Sequence, residues 1–212
     1  MRAVALVLAV LGGVEMTLDR RTIEEALTIA NSTIESTHTR YNADYHFALN
    51  APPIDFISIV TPFRRVVLSG ASARQSGSRS FGQQEALAAL QPDPQRVEVY
   101  VELTFHPLNT FVAVPEYGIT LEPVSPAGNA VTPTAIDRVP RYGPRLDATR
   151  YPFPYPTSLA PRVRQGSEPL SGGTLIARVP GEDLNPKGQY SVVVRDGTKE
   201  LGRVRVDLAR LR

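Results

Sequence analysis

The chain of 212 residues contains no cysteine and no tryptophan, and only two methionines and three histidines. Without cysteine there are no disulfides, no thiol nucleophile and no thiolate metal site. A lipobox, which needs cysteine to carry a diacylglycerol, is excluded for the same reason. No Gly-x-Ser-x-Gly elbow is present and no histidine follows His106, so nothing marks out a serine-based triad. Gly70 to Gly82 lacks a Gly-Lys-Ser/Thr phosphate loop, and no dinucleotide fingerprint follows any strand-like run. Charge of one sign is also missing: the formal net charge is only +2 and the arginines are scattered. Nucleic-acid binding needs many phosphate contacts from one basic patch, and that class is set aside.

Long apolar runs are absent beyond the amino terminus. There Met1-Arg2 precedes nine consecutive apolar residues, Ala3 to Leu11, followed by Gly12-Gly13. A positive residue ahead of a short apolar run is the pattern of a secretory signal, and the run is too short to span a bilayer. We read 1–16 as a signal peptide and expect an exported protein, periplasmic or extracellular, with no transmembrane span in its mature chain. No Ala-x-Ala cleavage site follows the run, and a buried N-terminal strand or helix is the competing expectation.

Proline, by contrast, is abundant. Nineteen prolines are nearly twice the average usage of about 5% and disfavour a mainly helical fold. Arg96 to Phe105 alternates with period two: Val97, Val99, Val101, Leu103 and Phe105 share one face, and Glu98, Tyr100, Glu102, Thr104 and His106 the other. The first face is expected in a core, the second in solvent or under a partner. Strands are also expected at 54–60, 63–68, 111–114 and 117–121, and 71–80 as a loop. Helical spacing predicts a helix over 22–35, with Thr22 and Glu25 as a capping box, and a short one to Leu90. From Pro123 to Pro169 prolines, arginines and aromatics interleave, which predicts an ordered, extended excursion.

The last forty residues carry the clearest β signal. Thr174 to Val179, Gln189 to Val194 and Leu201 to Leu208 are strand-like, and Asp196-Gly197 between the last two predicts a hairpin. Within Leu184-Asn-Pro-Lys-Gly-Gln-Tyr190, a turn with glycine two residues before a strand-opening tyrosine resembles the tyrosine corner of immunoglobulin-like sandwiches. The resemblance implies that the phenol bonds backbone a few residues upstream. The Cys…Trp…Cys signature of antibody domains is missing. The fold class expected is mainly β: an immunoglobulin-like antiparallel β-sandwich with one or two short helices in its N-terminal half. Residues 17–95 are read as an α+β segment packed on the sandwich of 96–212, within one continuous domain.

Few residues suggest chemistry. Asp44 and His46, two apart on a strand, would project from one face about 7 Å apart, with His38 near in sequence. A metal-dependent hydrolase built on His38 and His46 is the catalytic alternative. Glu98, Glu102 and His106 lie on one strand face at intervals of about 13 Å, too far apart to share a metal. Their spacing also exceeds the carboxylate separations of glycosidases, about 5 to 9.5 Å. Arg64-Arg65 could hold an anion, but a cross-strand pairing with acidic neighbours fits better. No catalytic residue, metal ligand or cofactor is assigned.

The binding candidate is Tyr151-Pro-Phe-Pro-Tyr-Pro156 with its neighbours. Alternating aromatic and proline is stiff and loses little entropy on docking, and tyrosine and arginine are enriched at interface hot spots. The residues named are Tyr142, Arg150, Tyr151, Phe153 and Tyr155. The competing expectation is that these rings cover the protein's own sandwich. The reading is a non-catalytic protein-interaction or structural module of the cell envelope, with another envelope or secreted protein as partner. The alternative from another class is an accessory module for a carbohydrate or surface polymer, with Tyr151 and Tyr155 stacking on sugar rings. Mass spectrometry of the protein from its native host is expected to find a mature N-terminus lacking the first dozen or more residues. An intact Met1 in the cytoplasm would overturn the export reading.

Overall fold

The computed structural model describes residues 13–77, 81–106, 108–143 and 169–212. Residues 1–12 of the segment 1–16 expected as a signal peptide, and four of the five binding candidates, Arg150, Tyr151, Phe153 and Tyr155, lie outside the described residues. The fold is mainly β, with two antiparallel sheets and a few helices. Its elements are α1 (Arg20–Ala30), α2 (Glu35–Ala43), β1 (His46–Ala51), β2 (Ile54–Val60), α3 (Pro62–Gln75), α4 (Gln83–Leu90), β3 (Val97–Thr104), β4 (Gly118–Ser125), β5 (Ala135–Tyr142), β6 (Leu170–Val179), β7 (Gln189–Asp196) and β8 (Lys199–Asp207). The larger sheet has the order β1-β2-β3-β6-β5, and the smaller β4-β7-β8.

Alternation in β3 decides where the core lies. Val99 stands opposite Ile59 and Ala177, and Val101 opposite Ile57 and Leu175, so one face of the larger sheet is continuous hydrocarbon. It shares a core with the inner residues of the smaller sheet, where Leu121, Val192 and Val204 are in register. Prolines fall where the ladder tolerates them. Pro123 lies in β4 and Pro140 in β5, each at an edge of its sheet, where a missing N–H costs no ladder bond. The stretch expected as a surface excursion therefore supplies a sheet strand, β5, in its first half.

The hairpin at Asp196-Gly197 is present, with Gly197 at φ +56°, a backbone conformation that glycine adopts without a side-chain penalty. The Tyr190 hydroxyl accepts a hydrogen bond from the Asn185 main-chain N–H at 2.7 Å, the bond that the tyrosine-corner resemblance implied.

Three local expectations fail for identifiable reasons. Residues 63–68 are helix rather than strand. Thr61 caps α3 by accepting from the Arg64 N–H, and Pro62 takes the first helical position, where its lack of an N–H is harmless. Phe63, Val66 and Val67 then recur at helical spacing and meet Ile23, Ala26, Ala86 and Leu90 in a second, helical core. The β-branched pair Val66-Val67 misled the strand reading, and the helix runs on to Gln75, through the first half of the stretch expected as a loop. The first helix is capped one turn earlier, by Asp19, whose carboxylate accepts from Thr22 N–H at 2.7 Å, and it ends at Ala30. Residues 111–114 form no strand.

Removing the Tyr190 hydroxyl deletes a buried phenol's bond to backbone without changing ring packing. Tyr190→Phe is expected to cost about 1 kcal/mol, lowering Tm by roughly 2–4 °C. Thermal melting followed by circular dichroism measures it, and an unchanged Tm would mean the bond contributes nothing net.

Candidate functional site at one end of the larger sheet

The face of β3 expected to be wet is buried. Glu98 is 6% exposed and Glu102 8%, and each carboxylate is paired. Arg96 meets Glu98 at 2.7 Å, and the Tyr100 hydroxyl donates to Glu98 at 3.1 Å. Arg141 of β5 pairs with Glu102, Thr174 donates to Glu102 at 2.7 Å, and Thr104 donates to Asp55. Burial pushes the Glu102 carboxyl above its ordinary range, against the opposing pull of Arg141 and Thr174. Gly172 is what lets the Arg141 guanidinium lie across the sheet, because a Cβ there would collide with it and with the Leu103 carbonyl. Arg141 also donates to the Leu103 carbonyl and to the Thr104 hydroxyl, both at 2.9 Å. These ion pairs and hydrogen bonds tie β3 to β2, β5 and β6. His106, the third member of the expected face, is exposed and apart from both carboxylates.

Arg64 and Arg65 are on a helix rather than at a strand start. Both are buried on α3. Arg64 donates to Ser58 Oγ at 2.7 Å and to the Ile59 carbonyl, with Tyr45 stacked 4.8 Å away. Arg65 donates to the carbonyls of Leu90, Asp93 and Arg96. Arg64 is thus held by groups of strand β2 and Arg65 by carbonyls of the 90–96 turn.

The histidines are likewise separated by the fold. His38 is buried on α2, its Nε2 2.9 Å from the Ser32 carbonyl, while His46 opens β1 with its ring against Phe56 at 4.4 Å. Asp44 is exposed after α2. Among the described residues no group of three or more histidines and acids is placed to hold a metal.

What remains outward-looking is the β3–β4 connection. His106 and Asn109 build a turn there: Asn109 N–H donates to the His106 carbonyl at 2.9 Å, as expected for a strand-ending turn. The Leu108 N–H donates to His106 Nδ1 at 3.1 Å, and the Phe111 N–H to Asn109 Oδ1 at 3.0 Å. The Asn109 amide donates onward to the Leu170 carbonyl at 3.0 Å, fastening the loop to β6. Phe111 packs edge-on against buried Phe105 with centroids 5.0 Å apart. This frame presents Leu108, 83% exposed, and Val112, 89% exposed, with Phe111 at 44% beside them. Sequence reading missed them because the apolar run 111–114 resembles a strand; Asn109 followed by Thr110 was the available loop signal.

Tyr142, the one described binding candidate, closes β5 at this same end. It lies opposite Leu170, half-buried against the sheet core. Beside it Gly143 N–H donates to the Pro169 carbonyl at 3.2 Å, so the two stems of the 144–168 segment are tied together next to the β3–β4 loop. Elsewhere a shallow cleft of about 460 Å³ lies beside the tyrosine corner, lined by Asn129, Thr132, Asp183 and Asn185 among others. Among the described residues no helix is long and apolar enough to cross a membrane. No known family, curated protein or solved structure matches this chain.

His46 supplies a pH test of the histidine assignment. Partial burial and the Arg64 charge hold its pKa below the ordinary 6.5. As pH falls through that value the unfolded chain takes up a proton that the folded chain resists, so stability present above it is lost below it. His46→Gln is expected to flatten the decline in Tm between about pH 7 and 5. An unchanged slope would place the titration elsewhere.

Proposed function

We propose that this protein is an exported, non-catalytic interaction or structural module of the cell envelope, an immunoglobulin-like β-sandwich that docks on its neighbours through the β3–β4 loop. The observation that carries the reading is the loop itself. Leu108 and Val112 are exposed at 83% and 89% on a frame locked by His106, Asn109 and the Phe105–Phe111 contact. Exposed apolar side chains are ordinary when scattered, whereas Leu108, Phe111 and Val112 on one hydrogen-bonded loop form a docking element whose ordering cost is partly met before binding. The tyrosine-corner bond and the core shared by two antiparallel sheets support the sandwich assignment. The apolar amino terminus supports export. The ion-paired carboxylates of β3 and the carbonyl-bound arginines of α3 are engaged in holding the fold, which favours binding over catalysis.

The test is a Leu108→Ser/Val112→Ser double variant, expressed with a tag in the native host, cross-linked and fractionated by compartment. Both side chains are solvent-exposed, so Tm is expected to change little. Retention in the envelope fraction is expected to fall at least tenfold. Unchanged retention and an unchanged cross-linking pattern would remove the loop as the docking element.

A further inference from the structure

We propose that the shallow cleft beside the tyrosine corner is a binding site for a neutral mono- or disaccharide. The cleft lies where β4 ends, whereas the β3–β4 loop leads into its beginning, and the inference does not rest on the docking role of that loop. Two segments wall it: the β4–β5 connection over 126–132, and the β6–β7 turn at Asp183 and Asn185. Its volume of about 460 Å³ falls within the range of small-molecule clefts, about 300–1,000 Å³.

Both walls are held before any ligand arrives. The Val131 N–H donates to the Leu121 carbonyl at 2.8 Å, and the Leu121 N–H returns the bond at 2.9 Å. Across the cleft the Asn185 N–H donates to the Tyr190 hydroxyl at 2.7 Å, and Asn185 Oδ1 accepts from the Lys187 N–H at 3.0 Å. The lining side chains, by contrast, are uncommitted. Among the described residues the Asn129 carboxamide, the Thr132 hydroxyl and the Asp183 carboxylate have no hydrogen-bond or ion-pair partner, and the Asn185 amide nitrogen donates to none.

The chemistry of that lining selects the ligand. It contains no lysine, arginine or histidine, so a phosphate or carboxylate would enter without a counter-charge. Carboxamides and a hydroxyl offer donors and acceptors together, and a carboxylate accepts from two neighbouring hydroxyls, which matches the dual character of sugar hydroxyls. A lysine or arginine side chain would engage Asp183 but brings only donors, and would leave the amide donors of Asn129 and Asn185 without acceptors. The open shape denies a purely apolar ligand the enclosure it requires. The rings of Pro123 and Pro126 in the same lining supply hydrocarbon for the C–H face of a pyranose.

The test is a titration of the isotope-labelled full chain, followed by the amide resonances in NMR. The probes are three neutral disaccharides, cellobiose, maltose and chitobiose, with glucose phosphate and trilysine as charged competitors for the same cleft. The expected result is a progressive, saturating shift of the Asn129, Thr132, Asp183 and Asn185 amides with at least one disaccharide, at a Kd of about 1 mM. The Leu108 and Val112 amides should stay still. Asn129→Ala and Asp183→Ala remove exposed side chains that hold nothing in the fold, so Tm should not change, and each should weaken binding about tenfold. No shift at these amides with any of the three disaccharides would overturn the proposal. So would tighter binding of glucose phosphate or trilysine, or sugar binding indifferent to both substitutions.

Discussion

Strand β3 is buried on both faces, and satisfying two chemically different faces organises the molecule around it. The Val97, Val99, Val101, Leu103 and Phe105 face is apolar and requires a second sheet, which β4, β7 and β8 provide. The opposite face carries Glu98 and Glu102. A buried carboxylate costs several kcal/mol unless it is paired and hydrogen-bonded. The neighbours of β3 are accordingly those that bring partners: Thr174 from β6, Arg141 from β5 lying across Gly172, and Arg96 from its own start. The order β2-β3-β6-β5 is the arrangement that places both kinds of partner where β3 needs them.

The helical part is joined to the sheets by the same logic, with cations meeting carbonyl oxygen. Arg64 and Arg65 run from α3 into the Ile59 carbonyl on one side and the 90–96 turn on the other. Arg212 completes the joint: its main-chain N–H bonds the Tyr45 hydroxyl at 3.0 Å, and its guanidinium reaches Glu25 at 2.5 Å while lying over Phe63. Hydrogen bonds to charged groups contribute about 1.5–3 kcal/mol each, so a few such arginines hold a small helical core in register with a large β core.

Much of the β architecture was legible because its signals are local. Period two in β3, the Asp196-Gly197 hairpin and the Tyr190 turn each act within a few residues. The candidate site was legible only in part. His106-Pro-Leu-Asn109 read as a turn, but the exposure of Leu108 and Val112 depends on Asn109 reaching the Leu170 carbonyl, sixty-one positions away in sequence. The burial of Glu102 depends on Arg141, thirty-nine positions away, for which no periodicity gives a sign. The helix at 62–75 was obscured because its β-branched residues suit a strand as well, and the contacts with Ile23 and Ala86 that favour helix are remote.

By itself the sequence determined the mainly β character, the places where prolines must fall at edges or turns, and the chemistry that a chain without cysteine cannot carry. Those follow from covalent structure and short-range geometry. Only the tertiary structure decided which charged residues are buried and which apolar ones are left outside. Burial is a property of what the rest of the chain brings alongside, and Glu102 and Leu108, six positions apart, received opposite environments for that reason.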